Sequence, residues 1–231
     1  LSGETAPIIA LRTPKRWTPK LSPTQLPTAD AQPLWLADGD VILITGGLGG
    51  MGRVLAQHLA KQRKVRIALL SRSSLPERSN WEHLLADPET TTSVRTRIEG
   101  LLAIEADSTE VMVVQGDVTD PDSLRNALNL VRERFGKLNV VIHAAGVIDD
   151  ATLQAKTTAQ MREVLAPKVE GTRNLDDLIN EDLKAFVVMS SIASLLGLPG
   201  QVDYTAANAF LDAFAEDRQR RKPGRTVAIN W

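Results

Sequence analysis

The chain has 231 residues, 43 % of them hydrophobic, a length that suits one substantial buried core. Its 27 basic and 28 acidic residues nearly cancel, which excludes the strong field that would recruit nucleic acid, an anionic membrane or a polyacidic partner. The absence of cysteine excludes a disulfide scaffold, a thiolate metal centre and a cysteine nucleophile; no metal site is expected, and without an apolar run of about 18 residues or a signal-like start, the default location is cytoplasmic.

Half of the 12 prolines fall in residues 1–35, around the apolar patch Ile8-Ile9-Ala10-Leu11. Residues 1–38 are therefore expected to be extended or looped, as a proline-rich linker or a strand left over from a preceding domain. From residue 39 to 231 short apolar runs alternate with segments of helical period. Val41–Ile44, Val65–Leu70, Val111–Val114, Leu138–Ile142, Ala185–Met189 and Val227–Ile229 are the expected strands, apolar on both faces as a buried parallel sheet requires. Met51, Val54, Leu55, His58 and Leu59 form one expected helical stripe, and Ala207, Phe210, Leu211 and Phe214 another. Residues 72–110 exceed the length of a simple crossover and read as an insertion carrying one or two surface helices. The alternation predicts an α/β fold, a Rossmann-type doubly wound parallel sheet with helices on both faces and ligands outside the carboxyl ends of the strands.

After the first strand of this region comes Thr45-Gly46-Gly47-Leu48-Gly49-Gly50-Met51-Gly52, opening into a helix. Glycines in that place allow a tight turn and bring backbone amides close to a pyrophosphate at the helix's positive end. The next strand ends on Leu70-Ser71-Arg72 and no carboxylate follows until Glu77. Ser71 and Arg72 thus suit a 2′-phosphate, favouring NADP over NAD, or Arg72 is a solvated surface charge. Asp117 and Val118, after the third strand, either reach the adenine or, in the case of Asp117, form a turn. His143-Ala144-Ala145-Gly146 follows the fourth strand; the three small residues leave room for ribose and nicotinamide, and His143 is expected to be structural. Ser190-Ser191 ends the fifth strand. Tyr204 and Asn208, four apart on the following helix, share a face that points at those strand ends, and Lys168 stands on the neighbouring helix.

These residues resemble the short-chain dehydrogenase/reductase superfamily and, more narrowly, the ketoreductase domains of modular polyketide synthases. The likeness is carried by the glycine loop, by His143-Ala-Ala-Gly-Val147, by Pro167-Lys-Val-Glu-Gly-Thr172 and by Tyr204-Thr-Ala-Ala-Asn208-Ala-Phe-Leu-Asp212, and runs from about Asp40 to Trp231. Most of the superfamily carries Lys four after the tyrosine. Here Asn208 fills that slot and Lys168 supplies the amine, the exchange that marks polyketide ketoreductases. The resemblance implies hydride transfer from NADPH to a 3-oxoacyl group on an acyl carrier protein, with neighbouring synthase domains as further partners. Tyr204 would protonate the alkoxide, Ser191 would hydrogen-bond the same oxygen, Lys168 would depress the tyrosine's pKa, and Asn208 would orient lysine, backbone or a relay water.

Val147-Ile148-Asp149-Asp150 is similar to the Leu-Asp-Asp element of B-type members, and Leu196 stands eight before Tyr204 where A-type members carry Trp. Both imply a D-configured hydroxyl, while Pro199 resembles the subgroup acting on epimerised 2-methyl substrates; alternatively, Asp149-Asp150 is an acidic loop starting a helix. The resemblance makes residues 1–38 similar to the tail of a preceding structural subdomain. It also implies a further strand and a mobile lid beyond the position of Trp231, so the sequence reads as a piece of something longer. A stand-alone or fatty-acid-type reductase and a non-catalytic nucleotide-binding module are the alternative readings.

Overall fold

The computed structural model describes residues 9–18, 20, 22–25, 35–106 and 109–231. The chain divides into two compact units, residues 1–34 and 35–231. In the first, β1 (Ala10–Arg12) and β2 (Lys15–Trp17) form an antiparallel hairpin with Ala10 opposite Trp17. Ile8 and Pro7, Pro19, Pro27 and Pro33 lie outside the described residues.

The second unit is built on a six-stranded, all-parallel sheet of β3 (Val41–Thr45), β4 (Arg66–Ser71), β5 (Glu110–Gln115), β6 (Val140–His143), β7 (Ala185–Ser190) and β8 (Arg225–Asn230). Its order is β5-β4-β3-β6-β7-β8. Every residue of β3 is buried, as expected of a strand covered on both faces. Side-chain alternation divides the core. Val41 and Leu43 join Val141 and Phe186 beneath α4 (Pro121–Phe135), α5 (Thr158–Leu178) and α7 (Val202–Arg221). Ile42 and Ile44 face the opposite layer with Ile67 and Leu69, beneath α1 (Gly50–Gln62), α2 (Trp81–Ala86) and α3 (Thr92–Glu105). The short α6 (Ala193–Leu196) connects β7 to α7.

Two expectations are corrected. The buried face of α1 is Gly52, Ala56 and Ala60, with Leu55 and Leu59 only partly buried; Met51, Val54 and His58 point to solvent. Close packing on the glycine loop demands small side chains there, so the large apolar residues do not mark the inner face. The segment after Arg72 is no insertion of surface helices. Trp81, Ile98, Leu101 and Ile104 are buried in the same cluster as Ile42, Ile67 and Leu69, so α3 is the crossover helix between β4 and β5.

Candidate active site

From β5, at one edge, the chain crosses to β6 beside β3, so the strand order reverses between β3 and β6 and leaves a crevice above their carboxyl ends. Thr45 and His143 are register partners at those ends. Above them the loop turns through Gly46 at φ +65, where a Cβ would stand 2.8 Å from the Ala144 carbonyl oxygen. One turn on, a Cβ at Gly52 would sit 2.5 Å from the Gly46 oxygen. Any side chain at either position would fill the cradle or force the loop off the sheet.

The crevice is a cavity of about 720 Å³, lined among others by Gly46, Leu48, Gly49, Ser71, Arg72, Asp117, Val118, Ala144, Ala145 and Gly146. A dinucleotide fits its size, its position over the strand ends and its glycine floor. Of the other expected cofactor residues, Thr45, Gly47, Gly50, Met51 and Gly52 do not line it; Gly52 makes the cradle possible from beneath. Asp117 serves as a turn residue and also faces the cavity: its Oδ1 accepts the Thr119 amide at 2.9 Å and the Thr119 hydroxyl at 2.8 Å. Arg97 of α3, Glu163 and Pro167 of α5 also line the cavity and were missed in the sequence. Arg97 carries no local mark; only the placement of α3 brings its guanidinium to the same cavity as Arg72. Neither guanidinium has a carboxylate partner among the described residues.

His143 is structural, as expected. Its Nδ1 accepts the Thr45 hydroxyl at 2.6 Å and its Nε2–H donates to the Pro167 carbonyl at 2.9 Å, which ties β3, β6 and α5 together under the cleft. Burial, aided by the Lys168 charge, pushes its pKa down to about 4, so the ring is neutral in this role.

Beside this floor, α5 and α7 pack together and present Lys168 to Tyr204, the ammonium lying 5.6 Å from the centre of the phenol ring. Lys168 Nζ donates to the Met189 carbonyl at 2.8 Å, and a Cβ on Gly146 would come within 3.3 Å of its Cε, so the lysine stands behind a lining residue; Lys168, Tyr204, Ser191 and Asn208 do not themselves line the cavity. Burial lowers its pKa to about 8, against the opposing pull of the Asp212 carboxylate. Asn208 Nδ2 donates to the Tyr204 carbonyl at 2.7 Å, while its Oδ1 is buried with no partner among the described residues. That orphaned acceptor suits a lysine or a water in a proton relay.

The two serines at the end of β7 are distinct. The Ser190 hydroxyl is buried and donates to the Asn208 carbonyl at 3.2 Å; Ser191 is half-exposed and its Oγ accepts the Ala193 amide at 3.2 Å. Asp212, one turn beyond Asn208, was also missed. It accepts from Ser194 Oγ at 2.6 Å and from Asn230 Nδ2 at 3.2 Å, and its spacing from Tyr204 and Asn208 on one helix face would have marked it. The Asp149-Asp150 segment starts no helix; α5 begins at Thr158 behind a capping box of Thr157 and Gln160.

The family model described as KR domain matches residues 40–231. Among curated proteins the chain is 37 % identical over 191 residues to 6-methylsalicylic acid synthase of Aspergillus terreus, covering 82 % of this chain and 10 % of that protein. It is 32 % identical to Polyketide synthase PksN of Bacillus subtilis, covering 84 % of this chain and 3 % of that one. Among solved structures, an N-terminal ketoreductase from the macrolactin assembly line superposes with a TM-score of 0.76 at 32 % identity, over 94 % of this chain and 40 % of that one. The chain thus spans a tenth or less of the length of these two curated relatives.

Proposed function

Because the chain belongs to the KR domain family, oxidoreductases of the short-chain dehydrogenase/reductase superfamily that work with a nicotinamide dinucleotide, we propose that it reduces a 3-oxoacyl thioester on an acyl carrier protein to the 3-hydroxyacyl thioester, within polyketide biosynthesis. The observation that carries this reading is the Lys168 ammonium held 5.6 Å from the centre of the Tyr204 ring and directly behind Gly146, a lining residue of a dinucleotide-sized cavity.

Gly46, Gly49 and Ala144-Ala145-Gly146 would hold a nicotinamide dinucleotide, whose chemistry would be the supply of a hydride to the carbonyl carbon. Tyr204 gives its phenolic proton to the oxygen, where Ser191 donates a second hydrogen bond, so the carbonyl becomes an alcohol and the phenol a phenolate. Lys168 stabilises that phenolate. A free phenol has a pKa of about 10, and each unit of depression needs about 1.4 kcal/mol of differential stabilisation, which an adjacent ammonium supplies. Asn208 pins the Tyr204 backbone and offers its free Oδ1 to the proton relay. Arg72, just beyond β4, and Arg97 of α3 favour NADPH, because both line the cavity and neither has a carboxylate partner among the described residues.

Ile148-Asp149-Asp150 and Leu196 support a B-type outcome, a D-configured hydroxyl, and Pro199 supports an epimerised 2-methyl substrate. In the whole protein, residues 39–231 act as the catalytic ketoreductase domain and residues 1–38 as the tail of a preceding subdomain, among synthase partners in the cytoplasm. No helix among the described residues is long and apolar enough to cross a membrane.

The test is turnover of a 3-oxoacyl thioester by the full natural chain beside Tyr204→Phe. NADPH should be consumed in preference to NADH, and loss of the phenol should lower the rate by about 10²-fold or more. Equal rates, or no turnover in either protein with cofactor bound, refutes the reading. Chiral analysis should find the D-alcohol; the L-alcohol refutes the stereochemical assignment alone.

A further inference from the structure

Outside the residues that the reaction uses, the most deeply buried ion pair of the described residues joins Lys156 to Asp203, whose side chains are 0 % and 2 % exposed. It stands at a junction of three segments. Lys156 is the last residue before the capping box that opens α5, the helix of Lys168, and its amide is anchored on the Thr152 carbonyl at 3.0 Å. Its ammonium donates to the Asp203 carboxylate and also to the backbone carbonyl of Asp149. Asp203 precedes Tyr204, and its second oxygen accepts the Tyr204 amide at 2.9 Å. Two flanking bonds close the same seam: Ala151 N–H to the Gly200 carbonyl at 3.0 Å, and Gln201 Nε2 to Asp150 Oδ2 at 2.9 Å.

We infer that the Lys156–Asp203 pair is a positioning device that sets the 148–151 loop against Tyr204 and thereby decides which face of the substrate carbonyl is reduced. The inference rests on the ketoreductase reading. Tyr204 is fixed on α7 and a bound dinucleotide would be fixed over the glycine loop, so the configuration of the new alcohol would follow from how the 148–151 loop orients the carbonyl beside Tyr204. An apolar contact would hold loop and helix together without fixing their relative direction. The two oxygens of Asp203 do fix it, one taking the ammonium that also holds Asp149, the other the amide of the catalytic residue. Buried ion pairs add little net stability over a well-packed apolar pair, and directional constraint is the use such a pair can have here.

The test uses the full natural chain with Lys156→Met, Asp203→Asn and the double variant, reading thermal midpoint, NADPH affinity, kcat and product configuration. Either single variant leaves one charge buried without its partner, so its midpoint should drop. The double variant removes both charges and keeps an acceptor for the Tyr204 amide. It should fold and bind NADPH within about twofold of wild type, yet lose about tenfold or more in kcat and release both alcohol configurations, as expected when reacting groups are misplaced by about 1 Å. A folded double variant with wild-type kcat and a single configuration overturns the inference, leaving the pair a merely structural contact. A double variant that cannot fold overturns it too, because the pair would then serve the fold rather than the site. Wild type that fails to reduce the thioester overturns the ketoreductase reading itself, a result distinguishable because it appears before any variant is made.

Discussion

Lys168 holds its proton less tightly than a lysine in water, because burial between α5 and α7 penalises the ammonium and brings its pKa down to about 8. Stability and activity should therefore respond to pH in opposite senses. Between pH 8 and the ordinary lysine value near 10.5 the unfolded chain binds more protons at this site than the folded one, so the contribution of Lys168 to folding becomes more favourable as pH rises through that window. Over the same window the ammonium proposed to stabilise the Tyr204 phenolate is lost, and on that proposal kcat should fall as pH rises above about 8. A kcat profile of wild type against Lys168→Met checks this: only wild type should begin to fall near pH 8, and the variant should be slower at pH 7. His143, also buried but neutral at any pH well above about 4, contributes no such limb.

Among the elements, α5, α7 and β8 are locked together at a point remote from the chemistry. Arg218 of α7 donates to Asp176 of α5 at 2.7 Å and to the Thr226 hydroxyl of β8 at 2.9 Å, and lies over the Phe186 ring of β7. Burial alone would raise the Asp176 pKa, but hydrogen bonds from Lys222 and Arg218 outweigh it and hold the carboxyl below its usual range. Removing the carboxylate would strand a guanidinium that is 2 % exposed. Asp176→Ala is expected to destabilise the unit by about 3–5 kcal/mol, measured by denaturant titration. Because α5 and α7 carry Lys168 and Tyr204, loosening this lock should also lower kcat before it weakens cofactor binding.

For the whole molecule, the crevice at the β3–β6 reversal gathers groups from distant parts of the chain, and Arg97 is the clearest case. If its guanidinium holds a 2′-phosphate, Arg97→Ala should weaken NADPH and 2′,5′-ADP by about tenfold, the worth of a charged hydrogen bond, while leaving NADH and 5′-ADP unchanged in calorimetric titrations. All six sheet strands, the glycine loop and the relation of Tyr204 to Asn208 were legible in the sequence, because each depends on residues near one another: apolar runs, positive φ at Gly46, one helical turn. The inner face of α1 was not, since close packing on the glycine loop selected Gly52, Ala56 and Ala60 over the larger residues that periodicity favours. Nor was α3 legible as a crossover helix, since its apolar residues form no strong stripe and their burial depends on the sheet beneath. Sequence by itself thus determined the fold class and the family likeness, and it supplied the candidates Tyr204, Ser191, Lys168 and Asn208 for the proposed reaction. Only tertiary structure decided that Arg97 faces the cleft, that His143 bridges Thr45 and Pro167, and that Lys156 meets Asp203, since each of these contacts joins residues whose distance apart is set by how the helices cross the sheet.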